Sequence, residues 1–412
     1  MEIIYACCCG IDVHAKTIVA CLIKNGSKTT RTFSTMTDDL LKFLDWLLQE
    51  ECTHVAMEST GVYWRPVYNI LEGQVDVMLV NAQHLQRVPG RKTDVRDCEW
   101  IADCLRHGLL RASFIPPLEI RELRELTRYR TTLTQELTRV VNRIQKVIES
   151  GNIKLGQVAS DVMGVSGRAM LTALAHGETD TKRMTEMAHK QLKKKKEELG
   201  RSLQGRLTNA QRWVLSDLLQ RYTETEDAIK RVTERIDEEI KSSRDPFVRE
   251  AIAFADELPG IGKQAAENIL AETGVRMSVF PTARNLSSWA GMSPGNNESA
   301  GKRKPGKTTK GNPYLRRALC EAAWAASHTK NSYLSAQYHR LARRIGKKRA
   351  IVAVAHSILI ILYQMLSQKE HYRDLGLHYL DQRNKAAIHN HLVRRLQSLG
   401  YMVTTKEVPM AA

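Results

Sequence analysis

The first 115 residues alternate short apolar runs with amphipathic stretches, which is typical of an α/β domain. Apolar runs at 3–12 and 17–23 predict two strands, and the threonine-rich sequence KTTRTFST at 28–35 predicts a third, weaker one. An amphipathic helix is predicted next, capped by Thr37 and Asp38 and ending at about Gln49. The remaining runs predict a strand at 54–59, a helix near 63–73, a strand at 75–81 and a helix from Asp94 to about His107.

The hydrophobic spacing changes after Pro116 and Pro117, and residues 116–245 are predicted to form a helical arm. Apolar residues at alternating spacings of four and three, the pattern of a coiled coil, fall at Leu133, Leu137, Val140, Ile144 and Val147 and again at Leu215, Leu218, Tyr222, Ile229, Val232 and Ile236. Between the two series, the polar region 150–206 is predicted to be a helical insertion, with a lysine run at 193–196. The pattern leaves three alternatives open: the helices pack on each other as an arm, pack on another protomer, or form an ordinary hairpin in one monomer.

A third region, 246–370, begins with two helical patterns separated by the sequence LPGIG at 258–262. This arrangement predicts a helix-hairpin-helix unit, whose glycines free backbone N–H groups to face a phosphate. Gly260, Gly262 and Lys263 are therefore candidate nucleic-acid contacts, with a plain Pro-Gly turn as the alternative.

Three more helices are predicted near 313–327, 332–344 and 348–367, followed by a basic tail over 371–412. The apolar stretch 350–366 is the one candidate for a membrane span in the sequence. It is short and contains His356, Ser357 and Gln364, which favours a buried core helix and predicts no membrane association.

Charge is distributed unevenly along this chain of 412 residues, whose formal net charge is +17. Residues 1–115 contain 14 acidic and 12 basic side chains, whereas residues 299–369 contain 15 basic ones and a single acid, Glu321. Such a concentration predicts a polyanionic partner, most commonly nucleic acid, with a solvated basic face as the alternative. The eight cysteines form no C-x-x-C pair, which predicts free thiols and a cytoplasmic protein.

Four carboxylates are candidate metal ligands. Asp12 and Glu58 end the first and fourth predicted strands, and Asp94 and Asp97 are three residues apart on the last predicted helix. Three strands followed by helix, strand, helix, strand and helix is the element order of RNase H-like domains, in which these positions converge. At a separation of about 5 Å, two carboxylates repel by roughly 3 kcal/mol, so the cluster needs cations, and oxygen ligands suit Mg²⁺. Helix capping by Asp94 and turn capping by Glu58 are the alternatives.

One serine stands out in the sequence NESAGKRKPGK at 297–307. Ser299 either binds a DNA phosphate through its hydroxyl or attacks one as a nucleophile. The basic side chains expected to hold that phosphate are Lys302, Arg303, Lys304, Lys307 and Lys310.

Several long motifs occur in a fixed order that resembles a known family. They are GIDVHAK at 10–16, MESTGVYW at 57–64, VPGRKTDVRDCEWIADCLRHGLLRASF at 88–114, LPGIG at 258–262 and FPTARNLSSWAGMSPGNNESAGKRKPGKTTKGN at 280–312. Together they resemble the DEDD transposases of the IS110 insertion-sequence family, most nearly its IS1111 branch. The resemblance extends over nearly the whole chain except parts of 150–210 and the tail after about 370.

The resemblance implies a RuvC-like, RNase H-like domain at 1–115, a coiled-coil arm at 116–245 and a C-terminal transposase domain at 246–370. It implies that Asp12, Glu58, Asp94 and Asp97 are the catalytic acids that bind Mg²⁺, and that Ser299 is the nucleophile. It also implies a recombinase that is guided by a bridge RNA, acts on donor and target DNA, and assembles as dimers and tetramers. Outside the IS1111 branch a Ser-Ser-Gly-Gly pattern is usual, whereas this chain has one serine in ESAG at 298–301.

Two other functions fit the same residues. A hydrolytic nuclease of the Holliday-junction resolvase kind uses the four acids with water as the nucleophile and does not need Ser299. A nucleic-acid-binding module with an inactive acid cluster needs no metal-dependent cleavage. A covalent protein–DNA adduct that depends on Ser299 would distinguish the recombinase from both the nuclease and the binding module.

Overall fold

The protein is described from a computed structural model, which covers residues 2–59, 61–81, 97–294, 308–383 and 385–406 and the backbone of 298–299 and 302–303. Its contacts divide the chain into two compact units, Met1–Ile115 and Pro116–Ala412. The first contains a mixed sheet with helices, and the second is mostly helical, as the sequence predicts.

The N-terminal unit contains a five-stranded sheet in the order β3-β2-β1-β4-β5. The strands are β1 (Cys7–Val13), β2 (Thr17–Lys24), β3 (Ser27–Ser34), β4 (His54–Glu58) and β5 (Asp76–Val80). The helices described in this unit are α1 (Thr37–Gln49), α2 (Trp64–Leu71) and α3 (Asp97–Arg106). β1 and β2 are antiparallel, as are β2 and β3, whereas β4 is parallel to both β1 and β5. This confirms the predicted order of elements, although Asp94 and the start of its predicted helix lie outside the described residues.

Side chains alternate across the sheet, so its two faces are covered by different helices. Cys9, Ile11 and Val13 of β1 belong to an apolar core with Phe43 of α1 and Val67 of α2. On the opposite face, side chains from β1, β2, β4 and β5 form a second core with α3. The strands contribute Cys8, Cys21, Ala56 and Val80 among others, and α3 contributes Cys98. The strands β1, β2 and β4 are therefore buried on both faces, as the continuous apolar runs of β1 and β2 predict, whereas the edge strand β3 is largely exposed.

Two local predictions in this unit are wrong. The first strand begins at Cys7 instead of residue 3, because the backbone N–H of Ile4 donates to the carbonyl of Arg106 at the end of α3 instead of to a neighbouring strand. Helix α1 begins at Thr37 after Met36, and no side chain caps it. Asp38 and Asp39 lie in its first turn, where carboxylates favour the helix through its dipole.

The second unit consists of helices joined by short connections. In chain order they are α4 (Leu118–Ser150), α5 (Leu155–Val158), α6 (Val165–Ala175), α7 (Thr181–Glu186), α8 (Lys190–Lys193), α9 (Lys196–Ser202), α10 (Asn209–Ser242), α11 (Phe247–Asp256), α12 (Lys263–Thr273), a 3-10 turn (Met277–Val279), α13 (Ala283–Trp289), α14 (Pro313–Ser327), α15 (Tyr333–Ile345), α16 (Lys347–Gln368), α17 (Tyr379–Arg383) and α18 (Lys385–Ser398). A two-stranded sheet, β6 (Glu298–Ser299) and β7 (Lys302–Arg303), lies between α13 and α14.

The long helices α4 and α10 pack against each other within the chain, which is one of the arrangements that their apolar spacing allows. Val140 and Ile144 of α4 are buried with Leu215 and Leu218 of α10. The short helices of the predicted insertion complete the same core at one end of the pair, with Met170, Leu171, Met184, Leu199 and Leu203. The insertion is thus a helical cap on the ends of two long helices.

Helix α16 is the only one in the described chain that is long and apolar enough to cross a membrane. It packs against α11, α13, α14 and α15. Among the residues that it buries are Val354, Ile358, Leu359 and Leu362, which is the packing of a core helix.

Candidate functional site

Asp12 and Glu58 end two neighbouring parallel strands. The register of β1 and β4 pairs Gly10 with Ala56 and Ile11 with Met57, so one further step places Asp12 beside Glu58. Residues in register on parallel strands face the same side of a sheet. The alternation along each strand assigns both carboxylates to the face that α3 covers, because Cys8 and Ala56 belong to the core on that face.

Helix α3 contacts β1 at Gly10, two residues before Asp12. A Cβ atom at Gly10 would lie 2.3 Å from both the carbonyl oxygen of Cys98 and the backbone nitrogen of Ala102. Asp97, which is exposed, is the first described residue of this helix and immediately precedes Cys98. The pKa of the Cys98 thiol is raised to about 11, chiefly by burial and to a smaller extent by the neighbouring Cys21, Glu99 and Asp12. The carboxylate of Asp12 is therefore electrostatically coupled to the start of α3.

His14 lies beside Asp12, with 3.1 Å between its Nε2 atom and Oδ2 of the carboxylate. The side chain of Asp12 is 26% exposed and that of His14 is 59% exposed. His14 is not among the predicted site residues. The sequence nevertheless indicates its position, because every second residue of an extended chain faces the same side, and residue 14 therefore follows residues 10 and 12.

Within the described ranges, no group of three His, Cys, Asp or Glu side chains is close enough to hold a metal ion. Asp94, the fourth predicted ligand, lies outside those ranges, so the full predicted set is not described. The donors assigned to this face, Asp12 and Glu58, are carboxylates, and Asp97 begins the helix that packs on it. Carboxylate oxygens are the ligands that Mg²⁺ prefers, so the chemistry of these residues fits that ion.

Ser299 lies on β6, in a short antiparallel pair with β7. The register pairs Glu298 with Arg303 and Ser299 with Lys302, so a basic residue is the cross-strand partner of the serine. Of the other predicted phosphate contacts, Lys310 is exposed, whereas Lys304 and Lys307 lie outside the described residues.

The two chain segments that lead into and out of this hairpin are held together at its base. Pro294 and Thr308 form an antiparallel bridge. Arg316 of α14 donates from Nη1 to the carbonyl of Gly291 at 3.1 Å and to Oγ1 of Thr308 at 2.9 Å. A Cβ atom at Gly311 would lie 2.3 Å from the carbonyl carbon of Ala290, so the two segments touch backbone to backbone.

A buried carboxylate, Glu272 of α12, connects this base to the long helix α4. Arg128 donates to both oxygens of Glu272, at 2.6 and 2.8 Å. Nδ2 of Asn312 donates to Oε2 of the same carboxylate. Asn312 also caps α14, because its Oδ1 accepts hydrogen bonds from the backbone N–H groups of Tyr314 and Leu315. Glu272 is not among the predicted site residues, since nothing in the local pattern distinguishes it from a solvated helix residue.

The LPGIG sequence connects α11 and α12 as a tight turn. Gly260 has a φ of +87°, and a Cβ atom there would lie 2.3 Å from the carbonyl oxygen of Ala322 on α14. Gly262 precedes the first turn of α12, and a Cβ atom there would meet nothing within 4 Å. Lys263 forms an ion pair with Asp237 of α10, which raises the pKa of the lysine. The turn therefore has one glycine against the protein and one facing open space.

Comparisons with known proteins give consistent results at both ends of the chain. Residues 9–152 match the DEDD transposase family of IS110 elements, and residues 253–339 match the transposase family described as IS116/IS110/IS902. The chain is also 24% identical over 376 residues to the transposase for insertion sequence element IS1111A of Coxiella burnetii (strain RSA 493 / Nine Mile phase I), covering 89% of this chain and 87% of that protein.

Proposed function

The chain belongs to the IS110 family of insertion-sequence transposases, and we propose that it cleaves, exchanges and religates DNA strands through a covalent phosphoserine at Ser299. Membership of the family makes it a DNA-processing enzyme. The residues proposed for the reaction are Asp12, Glu58, Asp94, Asp97 and Ser299.

The observation that supports this proposal most directly is the register of β1 and β4. It assigns Asp12 and Glu58 to neighbouring positions on the face that α3 covers, and Asp97 begins that helix. Carboxylates that lie close together repel one another, which favours binding of a divalent cation over an architectural role. Mg²⁺ bound there would stabilise the charge on the reacting phosphate and lower the pKa of the attacking group.

In the proposed reaction the hydroxyl oxygen of Ser299 attacks a DNA phosphorus atom. The phosphorus–oxygen bond to one sugar breaks, that sugar leaves as a free hydroxyl, and the serine proton passes to a base or to solvent. The phosphodiester energy is kept in the phosphoserine, so attack by a second DNA hydroxyl religates the strand without a nucleotide cofactor. Lys302, the partner of Ser299 across the hairpin, is proposed to neutralise the phosphate during the attack.

The partners are donor and target DNA and a bridge RNA that selects them, with the protein acting as a dimer that assembles into a tetramer. We propose that α4 and α10 form the coiled-coil arm of this assembly, within a domain at 116–245. We further propose that α11 and α12 form a helix-hairpin-helix unit in which Gly262 and Lys263 contact a DNA phosphate. The open space at Gly262 and the apolar contact between α4 and α10 support these assignments.

The test is an adduct assay with purified protein, Mg²⁺, RNA transcribed from the flank of the element and labelled matching DNA. On a denaturing gel we expect a protein-linked DNA band that disappears in Ser299→Ala and in Asp12→Ala. Ser288→Ala is the matched control, because Ser288 is an exposed serine of the same unit outside the proposed machinery. We expect this control to keep the band.

The same gel tests the hydrolytic alternative. A nuclease of the resolvase kind gives cleaved DNA that depends on Asp12, shows no linked band and is unaffected by Ser299→Ala. That result would rule out the phosphoserine mechanism while leaving the carboxylate site in place.

A further inference from the structure

Five basic side chains crowd the turn between α15 and α16. Arg343 and Arg344 lie in the last turn of α15, and Lys347, Lys348 and Arg349 lie in the first turn of α16. Gly346, the single residue between the helices, has a φ of +85°, which lets the chain turn within one residue. All five side chains are exposed, and we refer to them as the basic corner.

The side chains of the basic corner have no acidic partner among the described residues. In the part of the chain that the structure describes, none of its five side chains forms an ion pair. Elsewhere in the unit, Arg221 is paired with Asp217 and Arg276 with Asp245. The corner therefore concentrates positive charge that is not paired with any acidic side chain of the described residues.

Three of the five side chains of the basic corner also occupy an unfavourable position in their own helix. The N-terminus of a helix carries partial positive charge, which favours acids and disfavours cations. The first turn of α16 has no acidic residue, and Lys347, Lys348 and Arg349 occupy it. Charged side chains that destabilise their own helix, and that no contact within the protein offsets, are expected at surfaces where a bound partner offsets the cost.

We propose that the basic corner binds the phosphate backbone of duplex DNA, as a contact additional to the serine hairpin and to the LPGIG turn. The proposal rests on the proposed function in taking DNA as the partner. Duplex DNA is favoured over a single strand because residues 343–349 include no aromatic side chain on which an unpaired base could stack.

The test compares two variants in the Ser299→Ala background, so that no cleavage accompanies binding. The first replaces Lys347, Lys348 and Arg349 with Gln. The second, a matched control, replaces Lys42, Arg221 and Arg235 with Gln, which removes the same charge from positions that pair with acids. Affinity for a duplex of unrelated sequence is measured over a series of salt concentrations, without RNA, and thermal unfolding is recorded for each protein.

For three lost phosphate contacts, we expect the slope of log K against log salt to become shallower by about 2 to 3 in the corner variant, at roughly 0.9 per contact. The control is expected to keep the slope of the parent protein. We also expect the corner variant to have an equal or higher Tm, because its substitutions relieve the mismatch with the helix dipole. Weaker DNA binding together with undiminished stability cannot arise from misfolding.

Three results would overturn the proposal. An unchanged slope in the corner variant would make the corner a solvated face. An equal change in both variants would show that the slope depends on the net charge of the protein and not on the position of the corner. Unchanged duplex binding with weakened binding to an RNA hairpin or to anionic lipid vesicles would assign the corner to a different partner. Because binding is measured with Ser299 replaced, failure of the phosphoserine mechanism would leave each of these results interpretable.

Discussion

At Gly10 the sheet and α3 approach so closely that a side chain has no room. The atoms in the way are backbone atoms of α3, which cannot move aside as a flexible side chain can. We expect Gly10→Ala to lower the free energy of unfolding by about 1–3 kcal/mol through overpacking, and to reduce activity by shifting α3 away from Asp12. Chemical denaturation and the adduct assay measure the two effects.

The matched control for this substitution is Gly200→Ala in α9. Its new methyl group would lie 3.6 Å from the nearest atom, Cγ2 of Thr185, which is ordinary contact. Alanine favours a helix over glycine, so this control is expected to be neutral or stabilising by up to about 1 kcal/mol. A stable, fully active Gly10→Ala protein would contradict the close contact between β1 and α3.

Glu272 is a second position at which one substitution is expected to lower stability. Its side chain is 2% exposed and binds Arg128 and Asn312, so loss of its charge leaves the half-buried guanidinium of Arg128 without its carboxylate partner. We expect Glu272→Gln to cost about 3 kcal/mol of unfolding free energy, measured by denaturant titration. Glu234→Gln, at an exposed position of α10, is expected to change stability by no more than about 0.5 kcal/mol.

The site residues differ in how far the sequence alone could identify them. Asp12 was identifiable because an acid at the end of an apolar strand has little structural use, and its register with Glu58 follows from the order of the strands. His14 was identifiable in retrospect from alternation. Glu272 was not, because its partners are 144 and 40 residues away in sequence and no local pattern encodes such pairing.

At the scale of elements, the start of α10 is stabilised by hydrogen bonds between its capping residue and its first turn. Thr208 accepts a hydrogen bond from the backbone N–H of Gln211, whose side chain in turn accepts from the backbone N–H of Thr208. We expect Thr208→Ala to cost about 1 kcal/mol of unfolding free energy. Thr223→Ala, at an exposed interior position of the same helix, is the control and is expected to be near neutral. Equal losses in the two variants would exclude a capping role.

The connection from α10 to α11 is held by a charged pair with a predictable pH response. Two hydrogen bonds from Arg276 hold the pKa of Asp245 below its ordinary value of 3.8. A carboxyl whose pKa is lowered by folding adds stability above its unfolded pKa and loses it as the pH falls through the folded pKa. We expect Arg276→Gln to lower Tm at neutral pH, and the difference from the parent protein to shrink below about pH 4.

Arg249→Gln is the control for this pH series, because Arg249 is exposed on α11 and has no ion-pair partner in the described chain. Its difference in Tm is expected to be small and independent of pH. A pH-independent loss in Arg276→Gln would mean that the arginine acts through packing on Phe247, over whose ring it lies at 5.5 Å.

Element types and most boundaries followed from the sequence because the periodicities were long and uninterrupted. The spacing along α4 and α10 predicted two helices but not their partner, since the same apolar stripe suits contact within a chain or between chains. Helix starts were less accurate. At α1 the prediction gave Thr37 and Asp38 a capping role, whereas both lie inside the helix.

At the scale of the whole molecule, the candidate metal-binding carboxylates Asp12 and Glu58 and the strongly basic stretch of the chain belong to different units. The unit that contains Asp12 and Glu58 is nearly balanced in charge, whereas the basic stretch that contains the serine hairpin lies in the other unit. We expect removal of divalent cations with EDTA to abolish the covalent adduct while duplex binding falls by less than about threefold. Gel-shift and adduct assays on one preparation, before and after Mg²⁺ is restored, measure both. Loss of binding in parallel with the adduct would contradict this separation.

The contact between Arg128 and Glu272 lies near one end of a helix 33 residues long. From Arg128 to the far end of α4 at Ser150 the helix extends about 33 Å, so a tilt of about 5° around this contact moves the far end by about 3 Å. The same tilt displaces the base of the serine hairpin by only a fraction of an ångström, because that base is held close to the pivot. The length of α4 therefore amplifies any small tilt about this contact at the end of the helix that is farther from the serine hairpin.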